Sequence, residues 1–239
     1  MDSQFSNSEP QVFTRENTGI KAGFVANVFT WMFAALIITA VVAYLFGTQI
    51  SLIRLLYGSS GFTPLGWIVM FAPFGLVLLM SLGYNKLSAP ALTVVFLIYS
   101  ALMGASLGFV FLAFQLGTIF LAFAISSGLF AVMAIAGYTT KIDLTRFGNI
   151  MIMGLFGIII ASAVNLFMHN DMMDLVICVV GVLVFTGLIA YDMQRIKQDG
   201  QYAMANPETG RKMAIMSALR LYLNFINLFL LILRLLSRR

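Results

Sequence analysis

The chain has 239 residues, of which 61% are hydrophobic and only 10% charged. A soluble domain carries about 25% charged residues, so a water-facing surface is excluded for most of the molecule and lipid must be its solvent. The formal net charge of +5 does not point to nucleic acid, because the basic residues form no dense patch and instead flank apolar runs, as they do at membrane surfaces.

Residues 1–23 read as a polar N-terminal tail. It carries acids at Asp2, Glu9 and Glu16 and lacks the basic start and short apolar core of a secretory signal, so the first apolar run is expected to be retained. Residues 24–239 read as one seven-helix transmembrane domain, with no stretch left over for a soluble domain. A span needs about 20 mostly apolar residues. Seven such runs occur, at 24–46, 64–83, 91–114, 117–138, 147–168, 175–192 and 213–236. The expected fold class is therefore an all-α integral membrane protein.

Local signals refine this picture. Pro64 and Pro90 suit first helical turns, where a missing N–H costs little, and Pro73 lies inside the second span, where a kink is expected. The turn at Gln115 and Leu116 is so short that the third and fourth spans are expected to be antiparallel neighbours. Gly104, Ala105, Ser106, Gly108, Ser126, Ser127, Gly128, Gly154 and Gly157 are small residues within spans, a pattern that lets helix backbones approach closely in lipid. No strand is evident. With the N-terminus in the cytoplasm, the inner segments hold nine basic residues (Arg15, Lys21, Lys86, Lys141, Arg146, Arg195, Lys197, Arg211 and Lys212), and the outer loops hold one, Arg54. The seventh span is the exception. Arg234, Arg238 and Arg239 lie outside if it crosses fully, and inside if it re-enters; a full crossing is the favoured reading.

Ionisable groups within a bilayer cost about 2.5–3.5 kcal/mol each near its centre, so the few present carry information. Asp192 ends the sixth span. Arg220, Asn224 and Asn227 make the seventh span the most polar. The sixth and seventh spans are antiparallel, and within a turn of error Asp192 can meet either Arg220 or Asn224. Asp192 reads as a boundary residue reaching water or as a buried carboxylate that gates or binds a cation. Asn224 and Asn227 share a helix face. Arg220 either pairs with Asp192 or extends its charged end to the lipid headgroups.

Enzyme signatures are discounted. Gly104-Ala-Ser-Leu-Gly108 fits the GxSxG pattern but lies within an apolar helix and not at a strand-to-helix turn. His169 is the single histidine and Cys178 the single cysteine; they lie apart and make no metal-ligand set. An intramembrane aspartyl protease needs two carboxylates sharing a proton, and no second acid sits in such a setting.

Two segments carry a family resemblance. Gly187-Leu-Ile-Ala-Tyr-Asp-Met-Gln-Arg-Ile-Lys197 and Ala218-Leu-Arg-Leu-Tyr-Leu-Asn-Phe-Ile-Asn-Leu-Phe229 resemble the sixth- and seventh-helix signatures of the Bax inhibitor-1 family, also called the transmembrane Bax inhibitor motif family. The resemblance implies seven helices with the seventh in the centre, surrounded by the other six. It implies a pH-sensitive calcium leak, with calcium as transported ion and no cofactor. It also implies cell-death suppression in eukaryotes or control of a membrane protease in bacteria, for which residues 1–18 are the natural handle. The expected partners are thus the bilayer, calcium and a membrane protein such as a protease, and the short loops lean towards a bacterial inner membrane.

The family gate is a pair of aspartates on the last two helices. Asp192 matches the first and is the expected calcium contact; Asn224 stands where the family pattern often has the second. Lys86 aligns loosely with an arginine that influences the gate in a relative. Two adjacent carboxylates share a proton, whereas an Asp–Asn pair keeps a hydrogen bond and loses the like-charge repulsion. The pH-dependence of a leak is therefore expected to be weaker than in a di-aspartate relative, or displaced to lower pH, and calcium affinity to be lower. Cation/proton exchange through the same carboxylate, and partner regulation without flux, are the alternatives.

Overall fold

In the computed structural model, residues 9–58, 61–203 and 206–238 are described. The described residues form eight helices: α1 (Glu9–Thr48), α2 (Ile50–Leu56), α3 (Pro64–Leu82), α4 (Ala89–Ala113), α5 (Leu116–Thr139), α6 (Thr145–Met168), α7 (Asp171–Tyr202) and α8 (Pro207–Leu236). All but α2 are long and apolar enough to cross a membrane, α1 through its Ala22–Thr48 part. The protein is an all-α, multi-pass integral membrane protein. Helix α1 begins at Glu9, so it takes up much of the polar segment; the first eight residues of the expected tail lie outside the described residues. Contrary to expectation the described residues include two strands, β1 (Tyr57–Gly58) and β2 (Gly61–Phe62), paired antiparallel. Strands of two residues are too short to leave an alternating pattern. They are held by ring packing among Tyr57, Phe62 and Phe109.

Helix starts follow local chemistry. Thr63, Ser88, Asn170 and Asn206 each accept a hydrogen bond from a backbone N–H in the first turn of the helix that follows, satisfying donors that no preceding turn can reach. Pro64 and Pro90 lie in first turns as expected. Helix α3 continues unbroken through the buried Pro73. Helix α6 closes on His169, whose left-handed backbone (φ 51) makes it a C-terminal cap.

The least hydrophobic of the seven spans is the most enclosed. In the apolar stretch of α8, 67% of residues are buried, against 0% in α6. Helix α8 packs against α1, α4, α5 and α7, whereas α3 lies outside on α4 and α6 outside on α7. The expected ring of six around the last helix is thus a ring of four with two outer helices. The expected α4–α5 adjacency also fails. Phe114 and Gln115 are extended, and the helices diverge so that α8 packs on both. The aromatic volume of α8 forces this: Phe225 meets Phe123 and Phe130 of α5, and Tyr222 meets Phe96 and Tyr99 of α4.

Helix α8 is a continuous helix of 30 residues, about 45 Å at 1.5 Å per residue. That exceeds the roughly 30 Å hydrocarbon thickness and removes the re-entrant alternative. Its end carries Arg234 and Arg238 to Asp174 at the start of α7 (Arg234 Nη1 to Asp174 Oδ1, 3.3 Å), and Arg238 also donates to the Asp171 carbonyl at 2.8 Å. The last span therefore runs its whole length beside α7, and acids meet the basic residues that broke the charge rule.

Several small residues act as expected. Gly104 and Gly108 lie against Thr39, Val42 and Phe46 of α1, Gly154 lies against Val184 of α7, and Ser106 Oγ donates to the Val69 carbonyl of α3 at 2.8 Å. Gly137 of α5 faces the backbone of Ala190 in α7 so closely that a Cβ would overlap its carbonyl, and a Cβ on Gly148 of α6 would overlap the Tyr191 ring. Gly128 and Gly157 have open space instead. Gly137→Ala is therefore expected to lower the melting temperature of the detergent-solubilised protein. Gly128→Ala, free of any clash, is expected to leave it unchanged or raise it, since Ala is favoured over Gly in a helix by about 1 kcal/mol.

A buried hydroxyl cluster joins α1, α4 and α8. Thr39 Oγ1 donates to the Ser100 carbonyl at 2.8 Å, so Tyr222 OH donates to Thr39 Oγ1 at 2.7 Å. Tyr99 OH, beside them, is buried without a partner. Tyr222→Phe should destabilise the fold by about 1 kcal/mol, and Tyr99→Phe by less. Equal losses in a thermal melt would contradict this assignment.

Candidate functional site

The loops and helix ends divide into two faces. One holds the α3–α4, α5–α6 and α7–α8 connections and is rich in Lys and Arg; it is called the basic face below. Towards this face, α7 continues well past the expected end at 192, to Tyr202. Hydropathy ends the span there, but tertiary contacts extend the helix. Gln194 donates from Nε2 to the Ile142 carbonyl at 2.7 Å and accepts from the Leu144 N–H at 2.8 Å. Lys197 Nζ donates to the Tyr138 carbonyl at 2.7 Å and lies 5.0 Å from the centroid of the Tyr138 ring. A cation there meets the negative end of α5. Together these bonds fasten the α5–α6 connection to α7.

This framework positions Asp192. The close approaches at Gly137 and Gly148 seat α7 at Ala190 and Tyr191, immediately before it. Asp192 and Asn224 are each only 7% exposed. Asn224 Nδ2 donates to Asp192 Oδ2 at 2.6 Å, joining α7 to α8. Asp192 is thus a buried carboxylate and not a boundary residue in water, and its direct partner is Asn224. The amide supplies a donor without a second ionisable group, so the pair differs from two carboxylates in holding at most one titrating proton.

The other expected residues are placed differently. Asn227 Nδ2 donates to the Leu223 carbonyl of its own helix at 2.8 Å. Arg220 pairs with Asp199 and not with Asp192: Nη2 lies 3.4 Å from Asp199 Oδ2 and 3.0 Å from Ser217 Oγ. Lys86 is exposed, with no ion pair among the described residues.

Asp199 was missed because the sixth span was ended at Asp192. The spacing of seven residues, two helical turns, would have set both carboxylates on one side of a longer helix. At the end of α3 the phenol of Tyr84 is raised above its ordinary range by burial and then by the Asp199 carboxylate, with Arg220 opposing. Tyr84, Asp199 and Arg220 therefore form one electrostatic group at the basic face. Among the described residues, no three His, Cys, Asp or Glu side chains gather into a metal-holding group. A divalent cation meeting Asp192 would find one carboxylate and amide oxygens, a sparse set for Ca²⁺.

Comparison with known proteins agrees with this architecture. Residues 21–239 match the family described as "Inhibitor of apoptosis-promoting Bax1". The chain is 41% identical to an uncharacterized protein of Borreliella burgdorferi over 92% of its own length and 94% of the relative's. It is 38% identical to the inner membrane protein YbhL of Escherichia coli K12 (90% and 92%). It is 39% identical to a protein of Rickettsia prowazekii (90% and 89%). The match spans every membrane-crossing helix and both polar segments that meet at Asp192 and Asn224, and the chain belongs to the Bax inhibitor-1 family of multi-pass membrane proteins.

Proposed function

We propose that this protein is a pH-sensitive calcium leak of a bacterial inner membrane, gated where Asp192 of α7 meets Asn224 of α8. The observation that carries the reading is the hydrogen bond between these two side chains, both buried in a bilayer-spanning interface. A carboxylate at such depth is costly to keep, and structure alone does not require it: α7 and α8 are already joined at both ends by ion pairs. Protonation of Asp192 removes its charge, and a cation arriving at Asp192 competes with Asn224 for the same oxygen. Either event loosens the tie between the helices. The basic face is the cytoplasmic one in this reading, following the placement of Lys86, Lys141, Arg146, Arg195, Lys197, Arg211 and Lys212; this puts the N-terminus inside and the α8 end outside. YbhL, named as an inner membrane protein, supports the location.

The orientation predicts that, with Cys178 replaced by Ser, single cysteines replacing Lys86 or Lys141 are labelled by impermeant thiol reagents only after the cell membrane is opened, whereas one replacing Arg54 is labelled in intact spheroplasts. The reverse pattern would invert the topology.

The gate predicts the outcome of calcium flux into proteoliposomes over a pH series. Wild type should leak with a shallow transition of about one proton, and Asn224→Asp should steepen it towards about two protons. Asp192→Asn should abolish the pH response. If no variant moves calcium at any pH, the channel reading falls and regulation of a membrane partner without flux replaces it. Proton movement coupled in fixed ratio to calcium would instead identify exchange.

A further inference from the structure

Arg220 is held in an unusual way. Its one carboxylate contact, to Asp199, is 3.4 Å long, outside the 2.7–2.9 Å of a strong charged hydrogen bond. Its Nε is buried and has no hydrogen-bond partner. Arginine offers five donors in a fixed fork, and leaving a buried one unpaired is unfavourable. One turn along α8, Asn224 holds only one oxygen of Asp192; Oδ1 accepts no hydrogen bond among the described residues. Arg220 lies one turn of α8 from Asn224, which is bonded to Asp192, and it meets Asp199, two turns of α7 from Asp192, so the guanidinium stands between the levels of the two carboxylates. One guanidinium with a spare donor therefore stands near two carboxylates on the same side of α7, one loosely held and one half satisfied. Asn224 adds no charge of its own, and Arg220 is the cation on α8 that faces this acidic pair.

We propose that Arg220 is a tethered cation with two seats, Asp199 in the structure described here and Asp192 when Asp199 releases it, and that it excludes permeating divalent cations from the basic-face entrance between α7 and α8. The inference rests on the reading of this interface as a cation pathway and adds the group that limits entry. A plain structural ion pair would suffer alike from loss of either partner. A two-seat cation does not: removing Arg220 leaves two carboxylates open to calcium, while removing Asp199 sends Arg220 to Asp192 and closes the route further.

The experiment is calcium flux in proteoliposomes of the full chain carrying Arg220→Gln, Arg220→Lys, Asp199→Asn or the Arg220→Gln/Asp199→Asn pair, with calcium-dependent thermal stabilisation of the same proteins in detergent. One unit charge at this range corresponds to a rate change of about tenfold. Arg220→Gln should raise flux by about that factor, Asp199→Asn should lower it, the double variant should follow Arg220→Gln, and Arg220→Lys should stay near wild type. Flux that rises equally in Arg220→Gln and Asp199→Asn, or changes in neither, overturns the proposal. If Arg220→Gln does not fold, Asp199→Asn decides by the sign of its change. If wild type and all variants carry no flux, the channel reading has failed by itself. The tethered cation then stands if millimolar calcium raises the melting temperature of Arg220→Gln and not of wild type or Arg220→Lys, and falls if calcium stabilises none of them.

Discussion

The structure depends on one constraint: a polar side chain within a bilayer must find its partner in protein, because lipid offers none. Helix α8 carries Ser217, Arg220, Tyr222, Asn224 and Asn227 on more than one side, so no single lipid-facing orientation would spare them. The solution is enclosure. Four helices supply the partners: Thr39 of α1 for Tyr222, Asp199 and Asp192 of α7 for Arg220 and Asn224, and aromatic rings of α4 and α5 for the apolar remainder. The outer helices α3 and α6 have no such duty, and α6 is correspondingly bare of buried residues in its apolar stretch.

The same constraint explains why the α7–α8 pair differs from the rest of the bundle. Most helix contacts here are apolar or pass through glycine. The α7–α8 interface is polar at three levels: Asp174 with Arg234 and Arg238, Asp192 with Asn224, and Asp199 with Arg220. The two end levels are part-exposed ion pairs, which stabilise only weakly in water. The middle level is nearly dry and cannot exchange its partner for solvent without the helices parting. Any change in protonation or cation occupancy there acts on the whole interface.

The seven spans were legible in the sequence because lipid imposes a composition that no soluble domain shares, and the buried Asp192–Asn224 meeting was legible from depth arithmetic on two antiparallel helices. Helix ends and neighbours were not. Hydropathy stops α7 at Asp192, whereas Gln194 and Lys197, polar yet bound to backbone carbonyls, carry it on to Tyr202. The partner of Arg220 was hidden by that same truncation. A short loop suggested that α4 and α5 are neighbours, but ring volume on α8 holds them apart; loop length limits how far two helix ends can separate and says little about what wedges between their middles. The two-residue strands leave no periodic trace at all.

The central helix is also made after the seven helices before it. During synthesis, α1 to α7 leave the ribosome before α8 does, so two carboxylates that α8 will bind, Asp192 and Asp174 at the far end, are made before their partners. Asp171 and Asp174 are made ahead of Arg234 and Arg238, the residues that bind them in the finished fold. The least hydrophobic of the seven spans, ended by arginines, thus meets acids already in place. The order of synthesis puts the enclosing helices before the helix they enclose.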